Sequence, residues 1–465
     1  MKNIPFSQKI QIALIKQSQY VMSTLILAGS LLIFYTDYIG LNNAAIFGFA
    51  VLIFGIWNAV NDPLFGYYSD VRVSKGGVRI PLIKIGMPIM LAGFFLVILV
   101  PRGWADWNIF IILLFGLILF DFGKALSMVN YNAFCITIAD NPDERAKLNL
   151  VISYVSIIPG ALIGIVPAYF LTGDFSYIQI LLLFLIINLA LFVLSYFALI
   201  RVKEPSEMYA LKNTGENQSQ DDGANEKKTF TLIDGFKGTL GSKPFIILII
   251  WRVTAFFYHG IYYQNIIYMM KWVVPISGII TLLVAGAGGL MINVMYPIII
   301  KLREKIGTIK TIQIGLMMGI PGYIIMFLAK DFVILTIGYV ISTIAFSGIF
   351  FENVLIGDIA DDEFIKTGTK KQGMFYSIYG FFTTLASSLV IFVYTVGLEF
   401  FQYDGTLTAQ SDFTIFGIRT LASLLPIIAV ILCVFIIQFF PLKGKRYQEL
   451  RTKMEELLID VDEEA

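Results

Sequence analysis

Apolar runs of helix-spanning length recur along almost the whole chain, and this constrains the fold more than any other feature. A run of about 20 apolar residues crosses a bilayer core about 30 Å thick as a helix, with its backbone hydrogen bonds closed internally. Transmembrane barrels carry short alternating segments instead, and no such pattern is present. The composition agrees. Of 465 residues 57% are hydrophobic and only 14% are charged, where a soluble domain averages about 25%. The mean hydropathy is +0.78. A net charge of +1 argues against nucleic acid as a partner. The two cysteines, Cys135 and Cys433, lie inside apolar runs and imply neither a disulfide framework nor a metal site. A single histidine, His259, excludes a histidine-rich metal centre. Residues 1–17 are polar and amphipathic and run straight into the first span, so no cleavable signal peptide is expected.

The expected architecture is all-α and integral to the membrane. Twelve transmembrane helices are read near 18–36, 43–68, 81–100, 108–137, 149–171, 177–200, 244–270, 274–300, 311–329, 333–357, 373–400 and 414–441. The one long polar interruption, 201–243, includes the stretch from Gly215 to Gly223. That stretch is too polar to pack and reads as a flexible linker. The expected organisation is therefore a six-helix bundle over 1–200, a linker over 201–243, a second six-helix bundle over 244–441 and a tail over 442–465. Lys and Arg concentrate in alternate loops: Arg72 to Arg79, Arg145 with Lys147, Lys301 to Lys310, Lys366 to Lys371, and both ends. The opposite loops carry only Arg102, Lys271 and Lys330. Positive charge marks the cytoplasmic side, so both termini and the linker are expected in the cytoplasm and the chain in the plasma membrane. The halves echo each other. Asn61-Asp62-Pro63 and Met295-Tyr296-Pro297 each close a span before a basic loop. Paired halves of this kind belong to carriers that work around a midplane site.

Several motifs then fall in order. Trp57-Asn58-Ala59-Val60-Asn61-Asp62-Pro63-Leu64-Phe65-Gly66-Tyr67 follows Tyr35-Thr36-Asp37 and Gly40-Leu41. After it come Arg79-Ile80-Pro81, Asp143-Glu144-Arg145, Asp358-Ile359-Ala360-Asp361, Lys366-Thr367-Gly368 and Gln372-Gly373. As a set these resemble the glycoside–pentoside–hexuronide cation symporters, the melibiose-carrier branch of the major facilitator superfamily. The resemblance covers nearly the whole chain. It implies the twelve-helix major facilitator fold and the transport of sugars, sugar conjugates or, in one branch, lysolipids, coupled to sodium or protons. Where the melibiose carrier has two acidic residues in the second-helix motif, this chain has Asn58 and Asp62. Where it has sugar-binding aspartates, this chain has Val21 and Met128; a cation-binding threonine and an eleventh-helix lysine fall near Ala125 and Thr384.

An ionisable group within a span costs about 2.5–3.5 kcal/mol on insertion scales, so each one calls for a reason. Asp62 is expected to couple a proton or a sodium ion, with Asn58 and Asn61 as neutral oxygen ligands. Asn58 and Asp62 are four apart and share a helix face. The bland alternative is a structural hydrogen bond between helices. Asp121 and Lys124, three apart, can pair locally. Met128 lies on the same face, with Tyr131 just beyond. If that face lines a cavity, Lys124 either pairs with Asp62 or meets an anionic solute; otherwise the pair packs as a neutral unit. His259, Tyr262 and Tyr263 are read as a solute wall, with Glu352 and Tyr154 as further cavity residues. Arg252, seven before His259, either shares that wall or, the favoured reading, reaches for the headgroups. Gly66, Asp70, Arg72, Arg79 and Arg145 form a gating set. Asp358 and Asp361, with Asp362, are expected to form a latch with Lys366, Lys370 and Lys371. No catalytic constellation, phosphate loop or cofactor motif emerges, so an enzyme is not expected. The expected function is a monomeric carrier moving a small-molecule solute across the lipid bilayer by alternating access. A lysolipid or organic-anion carrier, or an uncoupled facilitator, is the rival reading.

Overall fold

The computed structural model describes residues 4–27, 29–74, 78–139, 142–202, 204, 239–367 and 372–464. All regular structure among the described residues is helical. Ten helices there are long and apolar enough to cross a membrane, and counting the bent pair Phe6–Ile26 with Ser30–Ile39 as one span makes up to eleven. The chain divides into two compact units. One is Met1–Glu226 with Gln402–Thr408; the other is Lys227–Phe401 with Ala409–Ala465. Most of the 201–243 linker lies outside the described residues.

The first unit contains α1 (Phe6–Leu27), α2 (Gly29–Ile33), α3 (Ala44–Ser74), α4 (Ile80–Ile98), α5 (Asp106–Ile138), α6 (Pro142–Val155), α7 (Ile157–Thr172) and α8 (Tyr177–Arg201). The expected fifth span, 149–171, is carried by α6 and α7, which break at Ser156. Pro159 has no amide to bond the carbonyl of Val155, so the helical ladder is interrupted there. Helix α8 starts at a capping box. Ser176 Oγ accepts from the Gln179 amide at 3.4 Å, and Gln179 Oε1 accepts from the Ser176 amide at 2.8 Å. Its residues Ile178, Leu182, Ile186, Val193, Phe197 and Ile200 are all exposed. Only 22% of its apolar window is buried. A helix apolar on its outward face has lipid as its solvent.

The second unit contains α9 (Lys243–Tyr268), α10 (Ile279–Ile306), α11 (Thr308–Leu328), α12 (Phe332–Ser342), α13 (Glu352–Thr367), α14 (Gln372–Phe400), α15 (Asp412–Arg419), α16 (Leu425–Ile437) and a tail helix, α17 (Lys445–Glu464). A 3₁₀ stretch, Thr343–Phe351, joins α12 to α13. Asp331 caps α12 by accepting from the Val333 and Ile334 amides at 2.9 and 3.0 Å.

Helix pairs in both units close on small residues. A Cβ built on Gly86 of α4 would stand 2.7 Å from Gly123 O and 2.8 Å from Ser127 N of α5. Gly93, Gly116 and Gly123 are equally confined. In the second unit, Gly319 of α11 would meet Ala345 N at 2.7 Å, and Gly315 and Gly322 abut Ser347 and Ser342. In lipid, where the hydrophobic effect does not drive helices together, such close backbone approach supplies the packing energy. The expected third and fourth spans and the expected ninth and tenth spans thus use the same device, a structural echo of the sequence repeat.

Candidate functional site

Within the first unit the polar side chains of α3 and α5 meet. Asn61, 1% exposed, donates Nδ2–H to Asp121 Oδ2 at 2.8 Å. Asp121 is fully buried, and its Oδ1 accepts from Lys124 Nζ at 3.0 Å. The chain Asn61–Asp121–Lys124 therefore neutralises one carboxylate with one ammonium inside the helix pair. It also fixes which way the Asn61 amide points, because only the nitrogen end can donate to a carboxylate. Asn61 Oδ1 and Asn58 Oδ1 are both buried without a hydrogen-bond donor. They are three apart on α3 and lie on one face. Lys124 takes the local partner, Asp121. The side chains at Asp62, Gly66, Asp70, Arg72 and Arg145 lie outside the described residues.

Other residues expected at the solute site have their own surroundings. Tyr131 is 1% exposed and donates its hydroxyl to the Ile12 carbonyl at 2.9 Å. Its ring borders a cavity of ≈ 220 Å³ shared with Lys16, Asn132, Cys135 and Asn149. Met128 packs against an apolar cluster that contains Ile12, Ile83, Met87 and Tyr131. Tyr154 is exposed on α6, and Arg79 is buried just before α4.

A hub at the start of α6 was not anticipated. Glu144 is 2% exposed and pairs with Lys9 at 2.7 Å and Lys147 at 3.1 Å. It also accepts from the Ile4 amide at 3.3 Å. Hydrogen bonds from Lys9 first, then Lys147, lower the Glu144 carboxyl to about 2. The signal lies in the Asp143-Glu144-Arg145 motif, of which the gating expectation takes only Arg145.

The second unit carries Arg252 on α9. Arg252 does not reach for headgroups. It is 8% exposed, its Nη1 stands 2.8 Å from Glu352 Oε1, and its guanidinium lies over the Phe256 ring at 4.3 Å. The side chains of the pair are 9% and 14% exposed. Two α9 turns beyond Arg252, His259 meets the rings of Phe346 and Tyr263 edge-on at 4.9 and 5.4 Å. Tyr262 is stacked flat on Tyr339, with centroids 4.1 Å apart. The seven-residue spacing of Arg252 and His259 places a charge pair and an aromatic wall along one stripe. Arg252 Nε and Nη1, Glu352 Oε1 and His259 Nδ1 are all buried without a hydrogen-bond partner, so charge rather than a directed hydrogen bond holds the Arg252–Glu352 pair.

Asp358 and Asp361 find a partner other than the expected one. Arg451 of α17 bonds Asp358 Oδ1, and its Nη1 reaches Asp361 Oδ2 at 3.3 Å. Lys366 pairs with Asp362, one turn away on α13. Lys370 and Lys371 lie outside the described residues. The tail is a helix that docks on this acidic end, a role that a count of its basic residues did not reveal. Among the described residues no group of three or more metal-binding side chains occurs.

The sequence profile described as "MFS/sugar transport protein" matches residues 15–444. An uncharacterised symporter of Bacillus subtilis (strain 168), YjmB, is 25% identical over 427 residues, covering 88% of this chain and 86% of that protein. The sodium-dependent lysophosphatidylcholine symporter 1 of Mus musculus is 22% identical over 445 residues, covering 86% of this chain and 79% of the relative. Among solved structures, a D-xylose–proton symporter superposes with a TM-score of 0.62 at 15% identity, covering 94% of this chain and 98% of the other. At that identity the likeness establishes the fold, that of major facilitator transporters.

Proposed function

The chain belongs to the MFS/sugar transport protein family, and from that premise we propose that it moves a sugar or sugar conjugate across the membrane by alternating access, coupled to a proton or sodium ion. As a major facilitator secondary transporter it needs a site that two conformations present to opposite sides. Coupling requires the ion and the solute to favour the same conformation through differential affinity.

The observation that carries the reading is the α3 face. Two buried amide oxygens, on Asn58 and Asn61, lack donors beside a self-neutralised Asp121–Lys124 pair. A buried acceptor left unmatched costs about 1–3 kcal/mol. A transported cation, or a proton held on Asp62, relieves that cost when it enters. Hard cations take oxygen ligands of this kind. Asp121 acts as a positioning residue: by holding Asn61 Nδ2 it turns Asn61 Oδ1 away from itself. Asp62 is proposed as the charged ligand or proton carrier on the same helix. The Arg252–Glu352 pair with its aromatic neighbours supports a neutral, hydroxyl-rich solute. It offers donors and acceptors with no net charge, and ring faces on which sugar C–H groups can rest.

A second reading is a lysolipid carrier. It is favoured by the lysophosphatidylcholine symporter relative and by the apolar packing of Met128, where the melibiose carrier has a sugar-binding aspartate. Uptake into proteoliposomes decides between them. Labelled mono- and disaccharides and a labelled lysophospholipid are offered with an imposed proton or sodium gradient. Asp62→Asn is expected to abolish accumulation against a gradient while sparing downhill exchange. Unchanged accumulation in that variant removes Asp62 from coupling, and uptake of the lysolipid alone overturns the sugar assignment.

A further inference from the structure

The second unit holds a cavity of ≈ 780 Å³ whose lining includes none of the residues assigned to the solute, although Leu355 and Asp358 share α13 with Glu352. That size lies within the range of about 300–1,000 Å³ typical of small-molecule sites. Its walls come from the turn between α10 and α11, the middle of α13 and the start of the tail helix α17. The charged side chains lining it are Arg303, Glu304, Lys310, Asp358 and Lys443, with Tyr447 beside them.

The charges on these walls are unevenly satisfied. Arg303 donates Nε–H to Thr308 Oγ1 at 3.1 Å and its guanidinium lies 5.7 Å from the Phe351 ring centroid, while its Nη nitrogens have no hydrogen-bond partner among the described residues. Lys310 forms no ion pair among the described residues, and Lys443 donates only to the Gln438 carbonyl. Of the two carboxylates, Asp358 is already held by Arg451. Three cations therefore face one uncommitted carboxylate, Glu304. One wall adds backbone donors. The Gly307 amide (φ 83°, ψ 162°) is taken by the Arg303 carbonyl at 2.8 Å, but Thr308, Ile309 and Lys310, which open the 21-residue helix α11 without a side-chain cap, also line the cavity.

We infer that this cavity binds a phosphate-bearing anion, which bridges the α10–α11 turn to the tail helix. Arg supplies a planar fork for phosphate oxygens, and the lysines supply point charges. The α11 amides add the favourable potential of a helix start. Two sources carry this chemistry. One is the headgroup of an anionic phospholipid in the leaflet that basic loops face. The other is a soluble phosphate ester. The inference does not depend on the identity of the transported solute.

The test uses detergent-purified full-length protein and reads thermal unfolding. Inorganic phosphate is compared with chloride at matched ionic strength. Short-chain phosphatidylglycerol is compared with phosphatidylcholine of the same chain length. A saturable rise in midpoint is expected with phosphate, with phosphatidylglycerol, or with both. The triple variant Arg303→Gln/Lys310→Gln/Lys443→Gln is expected to weaken the apparent affinity at least tenfold, while Lys453→Gln on the same tail helix leaves it unchanged. Should the triple variant fail to fold, Lys310→Gln/Lys443→Gln, both at exposed positions, replaces it. Saturation by phosphatidylglycerol at concentrations at least tenfold below phosphate assigns a lipid headgroup, and response to phosphate alone assigns a soluble ester. The inference is overturned if neither probe exceeds its control, or if the variants bind as well as the parent.

Discussion

Replacing Glu352 with Gln isolates the worth of the buried charge pair in the second unit. The substitution keeps the shape of the side chain and removes its charge. Arg252 is then left with a full positive charge at 8% exposure, with its former partner atom 2.8 Å away. With charge centres about 4 Å apart and an effective dielectric near 20, the lost attraction is about 4 kcal/mol. Removing one member of a buried pair commonly costs about 3–5 kcal/mol. The amide retains one acceptor oxygen and the Phe256 face remains beneath the guanidinium, so the lower end applies, about 3 kcal/mol. The doubly apolar variant Arg252→Met/Glu352→Leu removes both charges and is expected within about 1 kcal/mol of the parent, because no ion remains to be solvated. The assay is reversible unfolding in mixed micelles, followed by circular dichroism and fitted with one slope for all variants. The reasoning fails if Glu352→Gln lies within about 1 kcal/mol of the parent. It also fails if the doubly apolar variant is as damaged as the single one, since packing and not charge would then set the cost.

The Glu144 hub predicts an acid-sensitive tie between the chain start and α6. Its folded value of about 2 lies below the ordinary 4.5, so the tie is fully present above 4.5 and is lost as pH falls from there through about 2. The difference in unfolding midpoint between the parent and Glu144→Gln should stay constant from pH 7 to 5 and shrink between pH 4.5 and 3; a constant difference at pH 3 refutes it. The glycine seams predict a position-specific penalty. Gly86→Ala, whose new carbon would stand 2.7 Å from Gly123 O, is expected to cost about 1–3 kcal/mol. Gly380→Ala, with nothing within 4 Å, is expected to be neutral or to stabilise by up to about 1 kcal/mol. Equal effects at both sites in the same unfolding assay contradict the packing argument.

The membrane fold was legible because its cause is local and repetitive. Every apolar run had to cross lipid, and α8 or α11 can be read from hydropathy alone. The break at Ser156 was less legible. It depends on Pro159 meeting the carbonyl of Val155, an effect that a window average over the fifth span conceals. The local pairing of Asp121 with Lys124 followed from helical spacing. The donation from Asn61 to Asp121 did not, because contacts between helices leave no periodic trace in one sequence. The same limit hid Lys9 with Glu144, Arg252 with Glu352, and Arg451 with Asp358, each joining distant segments. Arg252 illustrates the error most clearly. Its place in the first half of α9 suggests an escape to headgroups, whereas a carboxylate far along the chain, on α13, makes burial the better option.

The close approach of α4 to α5, and of α11 to the stretch that follows it, has a consequence for how sequences of this kind can vary. A side chain can grow on one wall only where the facing wall yields room. Larger residues at Gly86 or Gly322 are therefore expected in natural variants together with smaller or shifted neighbours opposite, as linked changes. Lipid-facing positions such as Ile186 carry no such bond and should drift singly. A survey of variants would then draw these interhelical joints as paired columns against a background of independent substitution.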